Sequence, residues 1–181
     1  MACALACMTA RVAAADTATW REGLPAITAL AEDPEGTLWI GSPIGLYRFD
    51  GEHAILEKLE LQSGPLAPHT LSLQALRGYV WVGTDAGLIR KDRIYARRFG
   101  AAVAAIGRDP ITIAKGSAAD TLWVATPFDV FRWDGQFRAI LDDDRPLKNA
   151  ISLAATTDGM WIATADRVLR WQDSGIFKPT P

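Results

Sequence analysis

The side chains that could do chemistry are few, and their spacing narrows what that chemistry would be. The 181 residues include two histidines, His53 and His69, which stand alone and match no metal-ligand spacing. Both cysteines, Cys3 and Cys7, lie in the first seven residues, so the chain beyond Asp16 has no thiol for a disulfide or a zinc ligand set. No serine occupies a nucleophile elbow, and no glycine-rich loop has the spacing that cradles phosphates. "EDPEG" (32–36) places carboxylates beside a proline and a glycine and reads as a solvated turn. "LDDDRP" (141–146) is the densest charge cluster. Adjacent carboxylates could hold Ca²⁺, but the alternating spacing of a calcium loop is missing, so it reads as a soluble loop. The sequence therefore predicts no catalytic residue, no metal and no cofactor.

One charged residue does recur with a pattern. Arg48, Arg90, Arg132 and Arg170 each lie nine positions after a tryptophan, and those tryptophans, Trp39, Trp81, Trp123 and Trp161, are spaced by 42, 42 and 38 residues. Four cations in identical places could ring an anion. The alternative is that each guanidinium packs over an aromatic strand or pairs with a nearby carboxylate such as Asp50 or Asp134. Their position in a third strand, away from any central axis, favours the second reading.

The elements that carry these residues repeat as well. "LWIGSPIGLYRF", "VWVGTDAGLIRK", "LWVATPFDVFRW" and "MWIATADRVLRW" share the tryptophan, then a small residue (Gly41, Gly83, Ala125, Ala163) and then a hydroxyl (Ser42, Thr84, Thr126, Thr164). Upstream stand "ITALAED", "LSLQALR", "ITIAKGS" and "ISLAATT". Period-two alternation puts successive side chains on opposite faces, so each unit reads as strands. Units of about 40 residues with four strands each are the signature of a β-propeller blade. The tryptophan reads as the wedge between neighbouring sheets; burying it removes about 150–250 Å² from water, roughly 4–6 kcal/mol as an upper bound. The small residue reads as a point of crowding between blades. The turn glycine, Gly45 and Gly87, becomes Asp129 and Arg167 in later copies, which predicts an irregular fourth hairpin because Arg tolerates a positive φ poorly.

The first unit, "GLPAITALAEDPEGTLWIGSPIGLYRFDG", resembles the two-component regulator propeller repeat. The match runs through Gly23, Leu24, Pro25, Asp33, Gly36, Leu38 to Ser42, Gly45, Leu46, Arg48, Phe49, Asp50 and Gly51. The second unit keeps the Trp-Val-Gly-Thr and Gly-Leu parts, and the last two keep the rhythm without the glycines. The resemblance implies an extracytoplasmic, periplasmic sensor module of a bacterium that recognises an oligosaccharide or another small solute. It also implies signalling through a kinase or cyclase partner or a downstream region absent from this chain. A protein–protein interaction scaffold is the alternative, and a propeller lyase or hydrolase a more distant one.

Composition agrees with a globular chain: 49% of residues are hydrophobic, 22% charged, and the net charge is −2 with cations scattered. No basic footprint for nucleic acid and no transmembrane run is visible. Residues 1–15 read as a signal-peptide remnant, with Ala13 and Ala15 at −3 and −1 from Asp16. Residues 16–181 read as the propeller, with blades at about 24–62, 70–104, 110–142 and 150–180. Four copies in a family of larger rings predict an open or partial propeller, with self-association through its open blade faces. Connections between blades emerge on the same face as the turn between the second and third strands. That face is the expected ligand surface, with His69, Asp85, Arg108, Phe128, Asp143, Lys148 and Asn149 as its candidate binding residues.

Overall fold

The computed structural model describes residues 26–177 apart from 50, 58, 62–63, 67–68, 93, 100–111, 118–119 and 173–174. The leader expected at 1–15, the candidate Arg108 and the proposed ion-pair partner Asp50 lie outside the described residues. Every described element is a strand. The first sheet holds β1 (Ala29–Glu32), β2 (Leu38–Ser42), β3 (Gly45–Phe49) and β4 (Ala54–Glu57). A small hairpin follows, β5 (Leu59–Leu61) with β6 (Gly64–Leu66). The second sheet holds β7 (Thr70–Leu76), β8 (Tyr79–Thr84), β9 (Gly87–Lys91) and β10 (Ala96–Phe99). The third holds β11 (Thr112–Lys115), β12 (Leu122–Ala125), β13 (Val130–Trp133) and β14 (Phe137–Ala139). A second small hairpin, β15 (Leu141–Asp142) with β16 (Arg145–Pro146), leads to the fourth sheet of β17 (Ala150–Thr156), β18 (Gly159–Thr164), β19 (Val168–Gln172) and β20 (Gly175–Phe177).

Within each sheet the strands pair antiparallel in chain order, the meander of a propeller blade. Register fixes two faces. The tryptophan row pairs Ala31, Trp39, Arg48 and Ile55 in the first blade, and Ala114, Trp123, Arg132 and Arg138 in the third. This wedge face packs on the opposite, receiving face of the next blade. Trp39 and Leu46 meet Leu73, Val80, Val82 and Ile89. Trp81 and Leu88 meet Ile113, Val124, Phe131 and Trp133. Trp123 and Val130 meet Met160, Ile162 and Leu169. Each cluster joins consecutive sheets, and among the described residues none joins the fourth sheet to the first, so the propeller is an open arc. The wedge role holds for Trp39, Trp81 and Trp123, which are buried; Trp161 faces no following sheet and is partly exposed.

The recurring small residue and hydroxyl have physical reasons. A Cβ on Gly41 would stand 2.6 Å from Thr70 Cγ2 of the next blade, so the crowding is between blades, as expected. The hydroxyl locks the turn between the second and third strands. Ser42 Oγ donates to the Gly45 carbonyl at 3.0 Å, and Thr84 and Thr126 do the same to Gly87 and Asp129 at 2.6 and 3.1 Å, while Thr164 Oγ1 shares its one proton between the Arg167 carbonyl at 3.1 Å and Asp166 Oδ1 at 2.7 Å. The four are buried. Gly45 and Gly87 use positive φ (141° and 111°), whereas Asp129 and Arg167 do not. The later turns therefore hold without the left-handed conformation, and the substitutions that looked costly are accommodated. The ladder does slip elsewhere, by register shifts between Thr70 and Ser72 and between Ala150 and Ser152.

Each recurring arginine has a local partner, although Arg170 Nε is buried without a hydrogen-bond acceptor. Arg48 Nε bonds Glu57 at 3.0 Å, and Arg90 lies 4.3 Å over the Tyr79 ring. Arg132 sits 5.1 Å over Trp171 and 3.7 Å from Asp134, and Arg170 bonds Asp158 at 2.7 Å. They form no ring of cations.

Candidate functional site

The connection between the third and fourth blades is built as a rigid strap. Ile140 and Leu147, 6% and 2% exposed, flank the β15–β16 hairpin and insert between the two blades. Ile140 N donates to the Val130 carbonyl at 2.8 Å, and Leu147 N to the Ile140 carbonyl at 3.3 Å. Between these anchors, Asp142 pairs with Arg145, and the turn residues Asp143 and Asp144 have φ of 50° and 61°. Both central residues on the left-handed side is what a two-residue hairpin turn of the twist-matching kind requires, and Asp tolerates it. The "LDDDRP" carboxylates are thus first of all a turn.

This strap and the β18–β19 turn enclose a cleft of about 830 Å³. Asp142, Asp143, Arg145, Lys148 and Asn149 line it from the strap, Asp166 and Arg167 from the turn. Arg167 reaches Asp142 at 2.9 Å, and the Asp142 side chain is only 10% exposed. That ion pair ties the strap to the fourth blade. Asn149, at φ 58°, donates its N–H to the Pro127 carbonyl at 3.1 Å, which brings the β12–β13 turn and the exposed Phe128 to the cleft's edge. Asp166 accepts from Thr164 Oγ1 at 2.7 Å, and this bond, helped by Arg167, holds its carboxyl below the usual range. Burial pushes the neighbouring Asp129 carboxyl up, with Lys148 opposing. The cleft therefore offers acceptors and donors of both signs around an open volume.

Of the residues expected on the ligand face, Asp143, Lys148 and Asn149 share this cleft and Phe128 adjoins it. His69 and Asp85 are elsewhere, in the second blade: His69 N donates to Asp85 Oδ1 at 3.1 Å, and the two side chains stay exposed. Asp142, Arg145, Asp166 and Arg167 were not among the expected residues. Their signal was present, since two belong to the densest charge cluster and two to the turn that varies between copies. Among the described residues no group of three or more His, Cys, Asp or Glu is placed to hold a metal ion. No helix among them is long and apolar enough to cross a membrane.

Comparison with known proteins agrees with this architecture. The Two component regulator propeller family matches residues 24–43, within the first blade. No curated protein matches the sequence. Among solved structures, the chain is similar to the extracellular domain described as part of the hybrid two component system BT3049 from B. thetaiotaomicron (18% identity, TM-score 0.69, 87% of this chain and 25% of that one). It is similar too to the extracellular domain of the system BT4673 from the same organism (19%, TM-score 0.68, 87% and 22%). A virginiamycin B lyase from Staphylococcus aureus shares the fold at 15% identity and TM-score 0.62, over 86% of this chain and 56% of that one. The chain spans about a quarter of the first of these extracellular domains. At such identities the likeness is one of fold.

Proposed function

From a first blade that carries the two component regulator propeller repeat, we propose that this chain is a non-enzymatic, extracytoplasmic sensor module. It binds a small polar solute such as a short oligosaccharide in the cleft between the β15–β16 strap and the β18–β19 turn, and passes the signal to a kinase or cyclase partner or region. The observation that carries the reading is the Asp142–Arg167 pair, its carboxylate nearly buried and its guanidinium exposed, at the wall of an open cleft lined by Asp143, Lys148 and Asn149. Hydroxylated solutes are recognised by such mixed carboxylate, ammonium and amide donors and acceptors, and Phe128 offers an apolar surface at the rim. The likeness to extracellular domains described as parts of hybrid two component systems supports the same reading.

A panel of mono- and oligosaccharides read by thermal shift tests it. A ligand that binds only the folded state raises the melting temperature by mass action. A specific solute is expected to do so, and Lys148→Ala is expected to weaken its binding about tenfold or more. A solute whose shift survives Lys148→Ala and Asp143→Ala unchanged would place the site elsewhere.

A further inference from the structure

The hairpin between third and fourth strands is made four times, and its tip changes character once. By register the tip is residues 50–53 in the first blade, 92–95 in the second, 134–136 in the third and 173–174 in the fourth. In sequence these read "DGEH", "DRIY", "DGQ" and "DS", three polar turns and one that carries an isoleucine and a tyrosine. Ile94 and Tyr95 are 78% and 73% exposed, more than any other large hydrophobic side chain among the described residues. The turn does not need them. Asp92 holds it: Oδ1 accepts from Ile94 N at 2.8 Å and from Tyr95 N at 2.6 Å, and Asp92 N donates to the Tyr95 carbonyl at 3.0 Å. An aspartate supplies those bonds whatever side chains follow it. The apolar pair is thus held out in a fixed pose that the fold does not require.

The strand that leaves this tip is cationic. Arg97 and Arg98 of β10 are exposed, Arg97 lying 5.1 Å from the Phe99 ring, and among the described residues neither makes an ion pair. Cations on an outer strand discourage edge-to-edge pairing, which accounts for the arginines and leaves the apolar tip unexplained. An aliphatic and an amphipathic aromatic side chain at a convex tip, with guanidiniums behind them, match an anionic lipid surface. The tip reaches the boundary of headgroups and acyl chains while the guanidiniums meet phosphates. A protein partner is the poorer match, because a stable protein interface buries about 800 Å² per side and a two-residue tip offers far less. We propose that the β9–β10 hairpin docks the chain on an anionic membrane surface. In a four-stranded meander the first and third turns share one end of the blade, and the second turn lies at the other. The tip therefore points away from the end that carries the β18–β19 turn and the strap cleft, so a docked chain keeps that cleft open to solution. Carboxylates at the docking end of the later blades are paired, Asp120 with Arg77, Asp134 with Arg138 and Asp158 with Arg170. Glu35 and Glu52 of the first blade confine the contact to the hairpin by repulsion.

Flotation of the full chain with lipid vesicles tests this, using phosphatidylcholine alone and phosphatidylcholine mixed with an equal part of phosphatidylglycerol. The wild type is expected to float with the mixed vesicles and to lose most of that binding with phosphatidylcholine alone or in about 0.5 M salt. Ile94→Ser/Tyr95→Ser removes the apolar tip and Arg98→Glu reverses one charge; each should weaken binding about fivefold or more. Ile44→Ser alters an exposed isoleucine at the opposite end of the first blade and should bind as the wild type does. Because the altered side chains are exposed and Asp92 is kept, circular dichroism and melting of the variants should match the wild type. A wild type that does not float, one that floats equally with phosphatidylcholine alone, or a tip or Arg98 variant that floats undiminished would overturn the proposal. Binding to polyglutamate in place of the vesicles would overturn it too, and would assign the hairpin to an acidic protein. Solute binding by the strap cleft is read separately by thermal shift and is independent of each outcome.

Discussion

Lys91 is 4% exposed at the junction of the first two blades, a position where a lone ammonium would be costly. It is tolerated because Glu57 of the first blade stands 3.2 Å from its Nζ while also accepting from Arg48 Nε, and because the Asp92 carbonyl takes a further bond. Glu57→Leu removes the countercharge and leaves the cation buried. We expect a loss of about 2–3 kcal/mol in urea unfolding, with most of it recovered in the double variant Glu57→Leu/Lys91→Met, where no charge is left uncompensated. This pair was not legible in the sequence. Glu57 and Lys91 lie in different repeats at positions that do not recur, so no spacing pointed from one to the other. The arginines, by contrast, were read correctly as locally paired, because each sits opposite its tryptophan in an adjacent strand.

At the scale of the element, the turn between second and third strands is held by a side-chain hydroxyl in addition to its backbone bonds, such as Thr126 N to the Asp129 carbonyl at 2.8 Å. Thr84 Oγ1 donates to the Gly87 carbonyl and accepts from Ala86 N at 3.1 Å, and the hydroxyl is fully buried. Thr84→Val keeps the shape and removes both bonds; a cost of about 1–3 kcal/mol is expected in the same assay. The position of that hydroxyl was visible in four aligned copies, but its task was not, since a serine or threonine after a small residue has many uses. The strap was less legible still. "LDDDRP" announces itself by charge, yet only Ile140 and Leu147, ordinary apolar residues in sequence, explain why the hairpin is pinned and why Asp142 meets Arg167. The β-bulges at Thr70/Ser72 and Ala150/Ser152 left no trace, because a one-residue slip preserves the alternation on either side of it.

At the scale of the molecule, cohesion among the described residues is a matter of nearest neighbours: three apolar clusters, each bridging two consecutive blades. The wedge faces of the first three blades are covered by the next sheet, while that of the fourth, with Val168 53% exposed, meets no following sheet among the described residues. Hydrogen exchange should therefore be slowest at amides in the middle strands of the second and third blades, such as Val82, Ile89 and Val124, and faster at the edge residues Leu30 and Ala154, with a graded rather than uniform profile. Equal protection in all four blades would contradict this. The open arc was anticipated from the copy number and the four-stranded blades from the period, because both are properties of the repeat. Which side of each blade covers which was not, because the strands alternate identically whichever way the wedge points. That direction has a consequence for how such a chain changes over generations. Since every junction joins the same two rows, duplicating a blade-length segment of the gene would add a blade whose two sides already fit their neighbours, and deleting one would leave a junction that still fits. The length of the arc can drift while the packing rule is inherited unchanged.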